Sequence, residues 1–227
     1  PILKAVYVPD VSYSNDYTRD GHYGFADLNA KFTWLRSSRD KITFNTYLGF
    51  DYMSYIESDR KQIGGSSTYE KSIYKDANRW GNALLSAVWE RNLSERRKMV
   101  STYYVSDGYY SALYENVDKY LDYKSYSLES NISNILDIGA KLHFSDKTFS
   151  RHYLNYGASA VYHLFSPIAY DHSYVEIDKG RSNEKQSTYG RHYNSPEIDL
   201  WVEDEFTLTP RLYLNAGLRY MLFVAKG

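Results

Sequence analysis

The stretch EIDLWVEDEFTLTPRLYLNAGLRYMLFV, residues 197–224, decides how the rest of the chain is read. In its second half Leu212, Leu214, Ala216, Leu218, Tyr220, Leu222 and Val224 alternate with Arg211, Tyr213, Asn215, Gly217 and Arg219. Strict alternation places successive side chains on opposite faces of a β-strand, so one face is apolar and the other polar. The first half repeats the pattern, with Ile198, Leu200, Val202 and Phe206 against Glu197, Asp199, Trp201, Glu203 and Glu205. Pro210 lies between the halves, where a tight turn uses its fixed φ. The stretch reads as a β-hairpin.

Upstream the same period recurs. Ala26, Leu28, Ala30, Phe32 and Trp34 oppose Asp27, Asn29, Lys31 and Thr33. After a turn at 37–40, Ile42, Phe44, Thr46, Leu48, Phe50 and Tyr52 oppose Lys41, Thr43, Asn45, Tyr47 and Asp51. A second pair spans about 80–92 and 97–112; its pattern leaves the apolar face of 97–112 open. In a third pair Ile132, Leu136, Ile138, Ala140, Leu142 and Phe144 oppose Asn131, Ser133, Asp137, Lys141 and His143, and the chain returns through Leu154, Tyr156, Ala158, Ala160, Tyr162 and Leu164. Asn134 interrupts that apolar face, which suggests a bulge.

Composition removes several classes of function. The 227 residues include no Cys, which excludes disulfide scaffolds, thiolate metal sites and Cys nucleophiles. A formal net charge of −1 argues against a nucleic-acid partner, whose phosphates need a basic excess. No apolar run approaches the roughly 18 residues of a membrane helix. Period-two strands then leave two architectures: a water-soluble sandwich with its apolar face inward, or a membrane wall with that face toward lipid.

Three features favour the wall. The strands run about 13–17 residues, well beyond the five or six typical of globular sheets. Short turns (37–40, 92–97, 145–151, 208–210) alternate with long connections at about 58–79, 113–125 and 166–194, as in barrels with short periplasmic turns and long outer loops. The polar faces are ionic: Glu197, Asp199, Glu203 and Glu205 would be costly in a packed interior but are solvated in a wet lumen. Glu90 and Asp204 fall on or near apolar faces, each close to a short turn, where a charge costs little.

With short turns at the bottom, 25–36 descends and 211–224 ascends. Residues 2–8 then read as the top of an earlier ascending strand and 9–22 as an outer loop. The expectation is about eight full strands plus a partial first one, a contiguous slice of a larger antiparallel barrel. Closure at eight strands is the competing expectation. Its interior is just wide enough for side chains, so Lys31, Asp51, Lys141, Glu203 and Arg219 would have to pair extensively.

Four stretches carry a resemblance. They are FADLNAKFTWLRSSRDKITFNTYLGFDYM (25–53), WGNALLSAVWERNLSERRKMVSTYYVSDGYY (80–110), LNYGASAVYHLFSP (154–167) and EDEFTLTPRLYLNAGLRYMLF (203–223). In this order they resemble wall hairpins of TonB-dependent receptors, the active transporters of the Gram-negative outer membrane. The resemblance implies a 22-stranded barrel occluded by a plug and energised through a segment that engages TonB. Neither plug nor TonB-engaging segment has a counterpart in these residues. It also implies import of a scarce solute (a metal chelate, a peptide or a glycan), no enzymatic step and no cofactor. Its partners are outer-membrane lipid, the TonB complex through the plug, and in some arrangements a surface lipoprotein over the barrel mouth. A small closed barrel acting as adhesin or structural surface protein is the alternative.

No HExxH, GxSxG, phosphate-loop or EF-hand pattern is present. The Gly-rich IGGSS at 63–67 reads as a loop tip, and His143 and His163 as solvated wall residues rather than a metal pair. The wall charges expected to line the lumen are Asp27, Lys31, Asp51, Lys141, Glu197, Asp199, Glu203, Glu205, Arg211 and Arg219, with the acids of 197–205 paired to Arg211 and Arg219 across the hairpin. The connection 166–194 gathers Tyr170, His172, Tyr174, Lys179, Arg181, Lys185, Tyr189, Arg191 and Tyr193. Aromatics mixed with cations make adaptable recognition surfaces, so this connection is the expected ligand- or partner-facing loop.

Overall fold

Alternation this regular can bury only one face at a time, and the chain forms one layer. The structure is a computed structural model that describes residues 4–8, 17–62, 69–177 and 180–225. Its strands are β1 (Lys4–Val8), β2 (Tyr17–Leu35), β3 (Asp40–Gln62), β4 (Tyr69–Asn92), β5 (Arg97–Tyr120), β6 (Tyr123–Asp146), β7 (His152–Ile177), β8 (Gly180–Gly190), β9 (Tyr193–Thr209) and β10 (Leu212–Phe223). All neighbours are antiparallel, in the order β1-β2-β3-β4-β5-β6-β7-β9-β10. β8 pairs with residues 168–177 of β7 and β9 with residues 152–165, so β8 and β9 form one descending column broken at 191–192. Among the described residues β1 and β10 each have one partner, and the sheet is open.

The sheet has no core. Among the described residues only Ala112 and Tyr174 are buried apolar side chains. Leu218 is 79% exposed and Leu85 62%, while Ile198, Leu200, Leu212 and Leu214 are also exposed. Among the described residues no second sheet covers them. A sandwich would have buried these residues about 10 Å from a facing layer.

Several expectations are corrected. Among the described residues, the connections expected at 58–79, 113–125 and 166–194 are mostly strand rather than long loop: the strands run on past the apolar segments as β-ribbons. β5 and β6 are joined by Leu121 and Asp122 alone, with Leu121 in the left-handed region at φ 49°. Of the outer loop read at 9–22, residues 17–22 belong to β2 and 9–16 lie outside the described residues. The IGGSS stretch also lies outside them. The open face of 97–112 is settled by register, because Val105 pairs with Leu85 and Ile138, which puts Met99, Tyr103, Val105 and Tyr109 on the apolar face. No bulge accompanies Asn134, since the β5–β6 and β6–β7 registers are unbroken. Glu90 is on the polar face, where Lys41 and Lys98 each donate to it at 2.6 Å.

The apolar face is banded. On β3 it is apolar from Ile42 to Tyr52 and mostly polar beyond, where Ser54, Ser58 and Arg60 flank Ile56. On β4 it runs from Trp89 to Gly81 and ends at Arg79. At the short-turn end, polar and ionic pairs close the band. Asp40 accepts from Trp89 Nε1 at 3.0 Å, Arg97 reaches Asp146 at 2.7 Å, and His152 Nδ1 lies 2.6 Å from Asp204. At the far end Arg79 lies over the Tyr52 ring at 5.4 Å, and Asn134 Nδ2 donates to Asp107 at 2.6 Å. On β3 to β6 these borders stand about 10–12 residues apart, close to the roughly 9–11 residues that a tilted membrane strand needs.

Candidate functional site

On the opposite face the side chains meet as hydrogen-bonded and ionic pairs. Arg219 grips Asp199 with two bonds, Nε–Oδ1 at 3.1 Å and Nη2–Oδ2 at 2.8 Å, and Ser159 adds a third at 3.2 Å. Planar guanidinium and carboxylate match in this bidentate geometry. Asn215 donates to Glu203 at 2.8 Å; His163 sits between Asp137 (2.7 Å) and Glu197 (3.7 Å). Lys141 lies 5.0 Å above the Trp201 ring, which also stacks on His143. Asp27 accepts from Tyr47 at 3.1 Å and Asp51 from Tyr23 at 2.8 Å. Lys31 and Glu205 share the face by register. Arg211 does not: it lies in the turn after Thr209 and joins none of these pairs, so only Arg219 fills the role expected of both arginines.

Beyond the level of the apolar band, β2 and β3 build a tighter cluster on this face. Tyr17 donates to Glu57 at 2.6 Å, Tyr55 donates to the same carboxylate oxygen, and Arg19 approaches Glu57 at 3.8 Å while lying over the Tyr55 ring at 4.6 Å. The two phenol donors hold the Glu57 carboxyl below its ordinary range. The bond to Glu57 raises Tyr17, and burial followed by the same bond pushes Tyr55 up to about 12. Both signs act in one direction. Glu57, lowered on folding, stabilises the cluster above its unfolded value, and that contribution is lost as pH falls through the depressed folded value. The tyrosines, raised on folding, contribute below about pH 10, and their share is lost as pH climbs through the raised values. Protection of the Arg19 and Glu57 amides from hydrogen exchange is therefore expected to be flat from pH 5 to 9. It should drop at both extremes, and Glu57→Gln should remove the acid limb.

The residues expected on the 166–194 connection divide between faces. Tyr189 and Tyr193 fall on the polar face with Phe165, which stacks on Tyr193 at 6.1 Å. There, where β8 gives way to β9, Tyr189, Arg191 and Tyr193 line a hollow of about 700 Å³ with Tyr110, Asn131 and Pro167. Tyr170, His172 and Tyr174 project from the other face. Tyr126 stacks on Tyr174 at 5.0 Å, Lys124 donates to the Tyr174 hydroxyl at 2.7 Å, and His172 Nε2 lies 3.0 Å from Glu184. Lys185 pairs with Ser173 in the β7–β8 ladder. Lys179 and the Arg181 side chain lie outside the described residues. Among the described residues no three His, Asp or Glu side chains gather as a metal site.

The chain matches no family model, no curated protein and no solved structure. Its surfaces have to be read from their own chemistry.

The Tyr17, Arg19, Tyr55 and Glu57 cluster was not anticipated. The signal was present as Tyr-x-Arg (17–19) and Tyr-x-Glu (55–57), same-face pairs on two strands, but only the β2–β3 register brings them together. What the polar face offers chemically is a lattice of phenols, carboxylates and a few cations, able to hydrogen-bond a polar solute.

Proposed function

We propose that this chain is a run of wall strands from a TonB-dependent outer-membrane receptor, part of a barrel of about 22 strands in the family it resembles. The apolar band faces lipid and the polar face lines the lumen. The observation that carries the reading is the band itself, an exposed greasy stripe about as tall as a tilted membrane strand needs, bordered by polar and charged side chains, on a sheet without a core. The open edges support the larger barrel, because a sheet in lipid must pair every backbone donor and acceptor. Binding of a scarce solute (metal chelate, peptide or glycan) falls to the upper polar face: the hollow at Tyr189, Arg191 and Tyr193 and the Tyr17, Arg19, Tyr55 and Glu57 cluster. Release inward follows TonB-driven movement of the plug, with no covalent step.

Single-cysteine labels test the orientation. In the reconstituted protein, probes at Leu48, Ile138 and Leu218 should be quenched by a lipid-soluble agent, and probes at Lys31 and Glu205 by a water-soluble one. Equal access of water to both sets would sink the membrane reading. Solute uptake by cells should stop when TonB is deleted. Uptake that persists, or a native polypeptide of about the present 26.5 kDa, would favour the small closed barrel instead.

A further inference from the structure

The hollow at the β8–β9 break is bounded by charges of opposite sign that do not meet. Arg191 lies in the break, level with Ser166 and Pro167, because the ladder pairs Ile168 with Gly190 and resumes at Phe165 with Tyr193. Further up the same face Glu129 pairs directly with Asp171, and Asp171 with Ser187. Like charges directly opposite destabilise a ladder. Among the described residues neither acid forms an ion pair, and nor does Arg191. Asp171 accepts from Ser187 at 3.4 Å, and Lys185, diagonally above it, stays beyond ion-pair reach. Arg191 and the acids stand about four residues apart along β7, or roughly 13 Å at about 3.3 Å per residue. Between these poles Tyr110 stands opposite Ser133 and Tyr189 opposite Ala169, around a floor that includes Asn131 and Pro167. The volume of about 700 Å³ falls within the roughly 300–1,000 Å³ of small-molecule sites.

We propose that this hollow binds a short peptide end to end, its C-terminal carboxylate on Arg191 and its N-terminal ammonium between Glu129 and Asp171. This rests on the receptor reading above and names the solute class within it. A guanidinium and a carboxylate match as a bidentate pair. An ammonium set between the opposed acids replaces their repulsion with attraction to both. The spacing selects the length: an extended chain spans at most about 3.3–3.6 Å per residue, so three or four residues bridge the poles and a dipeptide falls short. The peptide's side chains lie against the Tyr110 and Tyr189 rings, and the Asn131 amide offers both a donor and an acceptor to its backbone. A neutral glycan would leave Arg191 and both acids unpaired, and an anionic chelate would meet repulsion at Glu129 and Asp171. A zwitterion of this length satisfies every pole.

The test titrates the full-length native protein in detergent with an alanine–leucine tetrapeptide, its N-acetylated form, its C-terminal amide, the doubly blocked form and the corresponding dipeptide. Calorimetry should show the free tetrapeptide binding about tenfold more tightly than either singly blocked form, since each block removes one charge-assisted contact. The dipeptide should also bind about tenfold more weakly, because it cannot reach both poles. Arg191→Gln should erase the preference for a free carboxylate and keep that for a free amine. Glu129→Gln/Asp171→Asn should do the reverse. Both variants should bind the doubly blocked form as wild type does, which reports an intact hollow. Equal binding of free and blocked tetrapeptides, a dipeptide as tight as the tetrapeptide, or terminus preferences unchanged in the variants would each overturn the proposal. A lipid-quenched probe at Ile138 in the reconstituted protein keeps the two readings separate: a dry probe without terminus preference refutes the peptide site alone, and a wet probe refutes the receptor wall beneath it.

Discussion

Ile138→Arg is expected to destabilise the inserted protein by about 2–4 kcal/mol, against about 0–1 kcal/mol for Leu212→Arg. Ile138 pairs with Val105 on one side and Tyr162 on the other, near the middle of the band, and is 49% exposed. Leu212 is equally exposed but lies at the short turn. If water bathed this face, both would be ordinary surface changes worth within about 0.5 kcal/mol. The difference therefore reads the solvent and not the fold. Chemical denaturation of the protein refolded into lipid vesicles measures both variants. Equal, small effects would remove the apolar band from the membrane.

Gly157→Ala is the second large effect, expected to destabilise by about 1–3 kcal/mol through overpacking. A Cβ at Gly157 would collide with the Leu142 carbonyl oxygen and with the Trp201 ring. The carbonyl belongs to the ladder and cannot swing aside, and the indole is held between His143 and Lys141. Glycine is required there because an aromatic ring from the neighbouring strand covers its backbone. Gly24→Ala is the control: nothing lies within 4 Å of its Cβ, and the change should fall within about 0.5 kcal/mol. Loss of the Trp201 fluorescence signature together with stability at Gly157, but not at Gly24, is the expected pair. Two neutral substitutions would show that the indole does not pack on Gly157.

The polar wall was largely legible in the sequence because charge and pleat are local. Asp27, Asp51, Lys141, Glu197, Asp199, Glu203 and Arg219 share the face that alternation assigned them. Arg211 failed because turn residues leave the period, and Glu90 because its strand's pattern was blurred by small residues. The long connections were misread for a different reason. Polar residues such as Glu115, Asn116, Asp118 and Lys119 in the connection expected at 113–125 look like loop by composition, yet a ribbon exposed on both faces needs no apolar side. Its ladder is held by backbone bonds and cross-strand pairs such as Ser72–Asp118 at 2.7 Å. Tyr170, His172 and Tyr174 were therefore nominated as one loop surface with Tyr189 and Tyr193, and the extended strands send the two groups to opposite faces.

Sequence by itself determined that the chain forms strands and which side chains share a face within each, because side-chain direction along a strand depends only on position parity. Only the tertiary structure decided how far the strands extend, which way 97–112 faces, and which residues meet across strands. Register carries all three. Each register is fixed by pairing between two strands, and a slip of one residue between β9 and β10 would have dissolved the Asp199–Arg219 clamp.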